Sequence, residues 1–141
     1  MRSLLITILL LSFCVTFGCK SYNKALQDTV TAADETAGMS AMRSVAVAEQ
    51  TYATSNNGSY GTFDQLVKAG YLDSRFNSDK PRFKGYLLSL SISDKNGEPS
   101  YSVNADPEPA QTGRHFYMDS TSGLIHVNPA RAADVSDPSI G

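Results

Sequence analysis

Hydrophobic and polar positions change period several times along this chain. Residues 4–17 form an almost unbroken apolar run behind Arg2, and from Lys20 onward the sequence turns abruptly polar. Between residues 22 and 54, Leu26, Val30, Ala33, Ala37, Ala41, Val45, Ala48 and Tyr52 recur at steps of three or four. That spacing predicts one long amphipathic helix with a narrow alanine-valine face, which lets another element approach closely. Gly38 interrupts it at a cost of about 1 kcal/mol relative to alanine, and predicts a bend or a break into two helices. The half before Gly38 is the more polar, and reads as a stalk or as a partly disordered tether. Ser55-Asn56-Asn57-Gly58 predicts the helix stop. Thr62-Phe63-Asp64-Gln65 fits a capping box for a short second helix, with Phe63, Leu66 and Val67 on its apolar side and Gly70 as its end.

Beyond Gly85 the period shortens to two. Tyr86, Leu88, Leu90 and Ile92 alternate with mostly polar residues, Asp94-Lys95-Asn96-Gly97 signals a turn, and Tyr101, Val103 and Ala105 continue the alternation. Pro107, Pro109 and Gly113 mark a loop. Residues 115–119 and 124–127 predict two further short strands. Residues 128–141 are rich in Ala, Asp, Ser and Pro and read as a disordered tail. The expected class is α+β: a long N-terminal amphipathic helix across a small antiparallel sheet of about four strands.

Length decides between two uses of the first apolar run. A membrane-spanning helix needs about 20 apolar residues. Residues 4–17 supply 14, roughly 21 Å at about 1.5 Å per residue. The charged start, short apolar run, Gly18 and Cys19 resemble a bacterial lipoprotein signal peptide. The resemblance implies cleavage before Cys19, lipid attached to its sulfur, and a mature chain held at a membrane. Thr16 stands where such signals usually carry an aliphatic residue, and Phe17 where a small one is common. An ordinary signal peptide cut near the same place, leaving a free thiol, is the alternative. Polar Lys20, Ser21, Asn23 and Lys24 argue against Cys19 as a core residue, and Cys14 would leave with the leader.

The remaining composition narrows the function classes. Removing residues 1–18 from 141 leaves 123, enough for one small domain. The formal charge is −2, and −3 once Arg2 is gone, which gives no electrostatic case for nucleic acid as a partner. A mature chain with one cysteine cannot form an internal disulfide. No Cys/His cluster has zinc-ligand spacing, and no phosphate loop, G-x-S-x-G or H-E-x-x-H motif is present.

Three segments together carry a second resemblance: AMRSVAVAEQTYATSNNGSYGTFDQLVKAGYL at residues 41–72, GYLLSLSIS at 85–93 and TGRHFYMDSTSGLIHV at 112–127. A helix ending in tyrosine, a G-x-Y-G-x-x-x-x-L loop and helix, a G-Y strand and an F-Y-x-D…G-x-I hairpin, in that order, resemble the heads of type IV pilin-like proteins and pseudopilins. Those proteins keep their apolar segment after cleavage, with a glutamate at its fifth position. Here the apolar run precedes the cleavage site and residues 4–17 contain no glutamate. The resemblance thus implies a pilin-like head on a lipid anchor rather than a pilus subunit. The domain reading is a signal peptide at 1–18, a polar helical spacer or tether at 19–40, the head at 41–127 and the tail at 128–141.

Chemistry is sparse. Pairing Asp119 with Leu124 would put His126 opposite Tyr117 and gather His115, Tyr117, Asp119 and His126 on one sheet face. Two histidines and a carboxylate could hold a metal, or form only an exposed polar face. Some pseudopilin heads bind calcium through acidic residues, but Asp106, Glu108, Asp134 and Asp137 are too scattered to assign. Tyr60, Tyr71, Tyr86, Tyr101 and Tyr117 read as a glycan- or peptide-binding surface or as core-edge residues. No nucleophile–base–orienter set can be named, and neither cofactor nor metal is assigned.

The expected function is a non-enzymatic, lipid-anchored envelope protein. Its partners would be the membrane, through Cys19, and other envelope proteins near pilus or secretion machinery. Lys20, where some bacterial lipoproteins carry an inner-membrane aspartate, favours the outer membrane. The alternatives are a minor pilin or pseudopilin subunit and a small-ligand or calcium-binding module.

Overall fold

The computed structural model describes the backbone of residues 2–140 and the side chains of residues 24–140. The leader at 1–18 and Cys19 lie outside the residues whose side chains are described. Two compact units are distinguished, Met1–Ala33 and Asp34–Gly141. Helix α1 spans Arg2–Ser55. Within the first unit, Leu26 and Val30 are half exposed, so the expected apolar stripe does not form core there. Among the described residues no helix is long and apolar enough to cross a membrane.

The second unit is α+β. The C-terminal part of α1 is followed by α2 (Phe63–Lys68), a 3-10 turn (Ser74–Phe76) and six strands: β1 (Arg82–Phe83), β2 (Tyr86–Lys95), β3 (Glu98–Pro107), β4 (His115–Asp119), β5 (Ile125–Asn128) and β6 (Ser139–Ile140). The strands form one antiparallel meander in chain order. The four longer strands match the expected alternating segments. β1 and β6 are two residues each, too short to show a period.

Local chemistry sets the boundaries. Asn57 and Gly58 both have positive φ, and the Gly58 N–H caps the Ala53 carbonyl at 2.9 Å. The Thr62–Gln65 capping box closes in both directions. Lys84-Gly85 and Asn96-Gly97 both carry positive φ between paired strands, as a two-residue hairpin turn of the right twist requires.

The apolar sheet face carries Tyr86, Leu88, Val103, Ala105, Phe116, Met118 and Ile125. Met42, Val45 and Ala48 of α1 lie in the same core, with Phe63, Leu66 and Phe76. Each large apolar side chain so buried contributes about 1.5–3 kcal/mol, largely offset by chain entropy.

Three expectations are corrected. The compact unit begins at Asp34 rather than residue 41, because Glu35 and Gly38 are already buried against it. Gly38 does not break α1, which continues as one helix to Ser55. This glycine lies against Tyr86, and a Cβ there would sit 3.0 Å from the Tyr86 ring. The third correction is the tail. Residues 129–140 are ordered, with Ala133 buried, β6 paired to β5, and the Val127 N–H donating to the Pro138 carbonyl at 2.9 Å. Side-chain-to-backbone bonds order the segment where apolar burial is scarce. Asn128 accepts from the N–H groups of Ala130 and Arg131, and Asp137 accepts from the Asp134 N–H.

Gly38→Ala gains about 1 kcal/mol of helix propensity but forces the fully buried Tyr86 ring to move. Overpacking of this kind costs about 1–3 kcal/mol. Thermal unfolding followed by circular dichroism should therefore show a lower melting temperature for this variant, whereas the exposed control Val47→Ala should stay within about 0.5 kcal/mol of wild type.

Candidate functional site

The face of the sheet away from the core is polar. Tyr117 pairs with His126 and His115 with Asn128, so His115, Tyr117, Asp119 and His126 do share one face. Ser102 and Asn104 of β3 lie beside them, opposite Asp119 and Tyr117.

Hydrogen bonding divides this cluster into two parts. His115 Nδ1 lies 2.6 Å from Asp106 Oδ1 at the edge of the face. His126 is buried under the C-terminal segment, and its Nδ1 meets the Asp137 carbonyl at 2.7 Å. A carbonyl only accepts, so Nδ1 donates to it, and Nε2 is buried without a protein partner. The Asn104 amide donates to the Ala133 carbonyl at 3.1 Å, and the Asn128 amide to Asp137 at 2.8 Å. Both amides pin the same segment.

Asp119 closes a turn. Its Oδ1 accepts from the N–H groups of Thr121 and Ser122 at 3.0 and 2.9 Å and from the Ser122 hydroxyl, while Oδ2 accepts from the Tyr117 hydroxyl at 3.2 Å. Burial raises the Asp119 pKa, but these donors outweigh it and leave the carboxyl below its ordinary value. Burial and the nearby Asp119 charge raise the Tyr117 hydroxyl. A small cavity of about 190 Å³ adjoins this network, lined by residues that include Ser91, Ser93, Ser102, Tyr117 and Thr121.

The other candidates separate. Arg131 binds Asp134 and Asp137 at 2.9 and 3.0 Å, Glu108 pairs with Arg82 at 2.7 Å, and Asp106 faces His115. Among the described residues no three His, Cys, Asp or Glu side chains are grouped to hold a metal ion. The five tyrosines form no common surface. Tyr86 and Tyr101 are buried on the apolar side, Tyr60 packs edge-on against Tyr101 at 4.8 Å, Tyr71 meets Tyr52, and Tyr117 lies on the polar face.

Two buried carboxylates on α1 went unrecognised in the sequence. Glu35 accepts from the Arg114 N–H, Nε and Nη2 at 2.7–3.2 Å, joining α1 to the β3–β4 connection. Burial pushes its pKa up, yet the hydrogen bonds and charge of Arg114 leave it lowered. Glu49 is fully buried. Its Oε2 accepts from the Gly61 N–H at 2.8 Å, and Oε1 has no protein partner. Burial raises its pKa to about 7, against the smaller opposing effect of the Gly61 bond. Burial and then the neighbouring Glu49 push the Tyr101 hydroxyl up to about 12. One signal was legible: Glu49 sits on the apolar stripe, four residues after Val45 and three before Tyr52.

Comparison with family models, curated proteins and solved structures finds no match to this chain.

A carboxyl whose folded pKa is raised favours folding most when protonated. The Glu49 contribution is therefore complete below its ordinary value of 4.5 and is lost as pH rises to about 7. At about 1.36 kcal/mol per pKa unit the loss is roughly 3 kcal/mol. Denaturant unfolding of wild type and Glu49→Gln across pH 4–8 should show the variant gaining relative stability as pH rises, by up to that amount. A constant difference would mean that Glu49 keeps one protonation state throughout.

Proposed function

We propose that this chain is a lipid-anchored protein of the bacterial cell envelope, held by a lipid on Cys19, whose α+β head makes protein contacts and carries out no catalysis. The observation that carries this reading is the leader itself: a charged start, 14 apolar residues, then Gly18-Cys19 and an abrupt change to polar sequence. The apolar run is short for a retained membrane span. A lipid on the cysteine would replace its hold, at about 0.8 kcal/mol per buried CH₂.

Two features support a binding role for the head. A long helix lies across an antiparallel sheet, the arrangement that the pilin-like resemblance implies. The polar side chains that suggested chemistry are mostly engaged in holding turns and the C-terminal segment. Placement near pilus or secretion machinery rests on the resemblance alone. Lys20 after the cysteine supports the outer membrane as the site of attachment.

A minor pilin or pseudopilin is the second reading, favoured by the order of the three segments at 41–72, 85–93 and 112–127. The two readings differ in the mature N-terminus. Radiolabelled fatty acid should enter the wild-type protein and be absent from Cys19→Ala. The intact mass of native protein should correspond to a chain beginning at Cys19 plus acyl groups. Equal labelling of both proteins, or a mass that retains residues 4–17, overturns the anchor.

A further inference from the structure

One edge of the sheet is bare. β1 covers only the start of β2: Phe83 pairs with Tyr86, Arg82 with Leu87, and the Leu88 N–H donates to the Pro81 carbonyl at 2.9 Å. The turn at Asn96-Gly97 makes Lys95 and Glu98 a directly bonded pair, so odd-numbered residues of β2 bond to β3. Leu90, Ile92 and Asp94 therefore point their N–H and C=O groups outward, along the line that Tyr86 and Leu88 use toward β1. Past Leu88 no strand pairs on that side among the described residues. The usual protections of an edge strand are missing from residues 88–93. They contain no proline and no lysine, and the unbroken register with β3 leaves no bulge.

The side chains beside this edge have a definite chemistry. Leu90 is partly buried and Ile92 is 40% exposed, both on the apolar side of the sheet. A groove of about 640 Å³ opens next to Leu90, lined by Phe63, Asp64, Ser78 and Asp79 among others. Asp64 pairs with the exposed Lys68 at 2.7 Å, while Asp79 enters no ion pair among the described residues. The groove is thus acidic beside an apolar strip.

We infer that this edge receives an extended segment of a partner protein, added antiparallel to β2 at residues 90–94. Main-chain hydrogen bonds would supply the affinity. An apolar side chain would cover Ile92, and a lysine or arginine opposite Leu90 would lay its stem on that side chain and enter the groove beside Asp64 and Asp79. The inference rests on the protein-contact part of the proposed function and requires nothing of the lipid anchor. A second copy of this chain fits less well. Two β2 strands centred on Ile92 put the second copy's Asp94 beside Leu90, next to Asp64. Centring them on Ser91 sets that Asp94 against Leu88, whose N–H is already bonded to Pro81.

The probe is the capped peptide acetyl-Val-Thr-Val-Thr-Lys-amide, added to the full chain in detergent and followed by hydrogen exchange and mass spectrometry. In antiparallel register its lysine lies next to Leu90. Exchange across residues 90–94 should slow about fivefold or more at about 5 mM peptide. A version with glutamate for lysine, and one N-methylated at its central valine, should each bind about tenfold more weakly. Asp79→Lys should weaken the lysine peptide selectively. Ile92→Pro should abolish the protection, and if that variant fails to fold, the N-methylated peptide makes the same test on unaltered protein. No slowing at that concentration, or equal slowing by the N-methylated peptide, overturns strand addition. A concentration-dependent dimer of the free chain with residues 90–94 protected gives the edge to a second copy and overturns the inference as well. Fatty-acid labelling at Cys19 is unaffected by each of these results, so the anchor and the edge fail separately.

Discussion

The head depends on one helix being held across one sheet face. The apolar positions of α1 from Ala41 to Ala48 share one core with the sheet, and Met42 and Val45 are completely buried. Such a stripe attracts non-directionally and does not by itself fix the helix along its axis. Two buried carboxylates on the helix supply direction. Glu35 takes three donors of Arg114 from the β3–β4 connection, and Glu49 takes the Gly61 N–H from the loop ahead of α2. Between them Gly38 leaves room for the Tyr86 ring, whose hydroxyl donates to the Arg114 carbonyl at 2.8 Å. Gly113 is packed against the same hydroxyl.

The two carboxylates differ in energetic character. Glu35 is paired with a guanidinium, so its charge is compensated where it is buried. Glu49 has a single backbone donor and one bare oxygen, so burial extends its neutral form up to about pH 7. Their contributions to stability consequently run in opposite directions with pH. A rise in pH strengthens the Glu35 tie and weakens the one at Glu49.

The polar face shows how side chains that suggest a site can serve architecture. His126, Asn104 and Asn128 hold the C-terminal segment down, and Asp119 closes the β4–β5 turn. Strands β3, β4 and β5 are thereby covered or paired. At the other end of the meander β1 stops after two residues and β2 runs on, so past Leu88 its outer side pairs with no strand among the described residues. An arrangement that leaves its free hydrogen-bonding groups on an edge is suited to recognising extended chain, because main-chain addition demands little of the partner's side chains.

Local physics made much of this legible in the sequence. The helix period, the Thr62–Gln65 cap, the Asn-Gly turn and the alternation of β2 to β5 each depend on residues a few positions apart. The Tyr117–His126 register also followed, because a short turn leaves few alternatives. Tertiary structure alone decided the rest. Whether Glu49 is solvated or buried depends on Gly61 and Tyr101, and the value of Gly38 depends on Tyr86. The segment after Asn128 reads as a disordered tail by composition, yet it is ordered by partners on β3 and β5 and by its own side-chain bonds. Two-residue strands carry no periodicity and exist only where a neighbour offers its edge. The sequence by itself determined the elements and the apolar faces, because those follow from spacing along the chain. The fold determined which polar groups are buried, because that depends on partners that only the folded chain brings together.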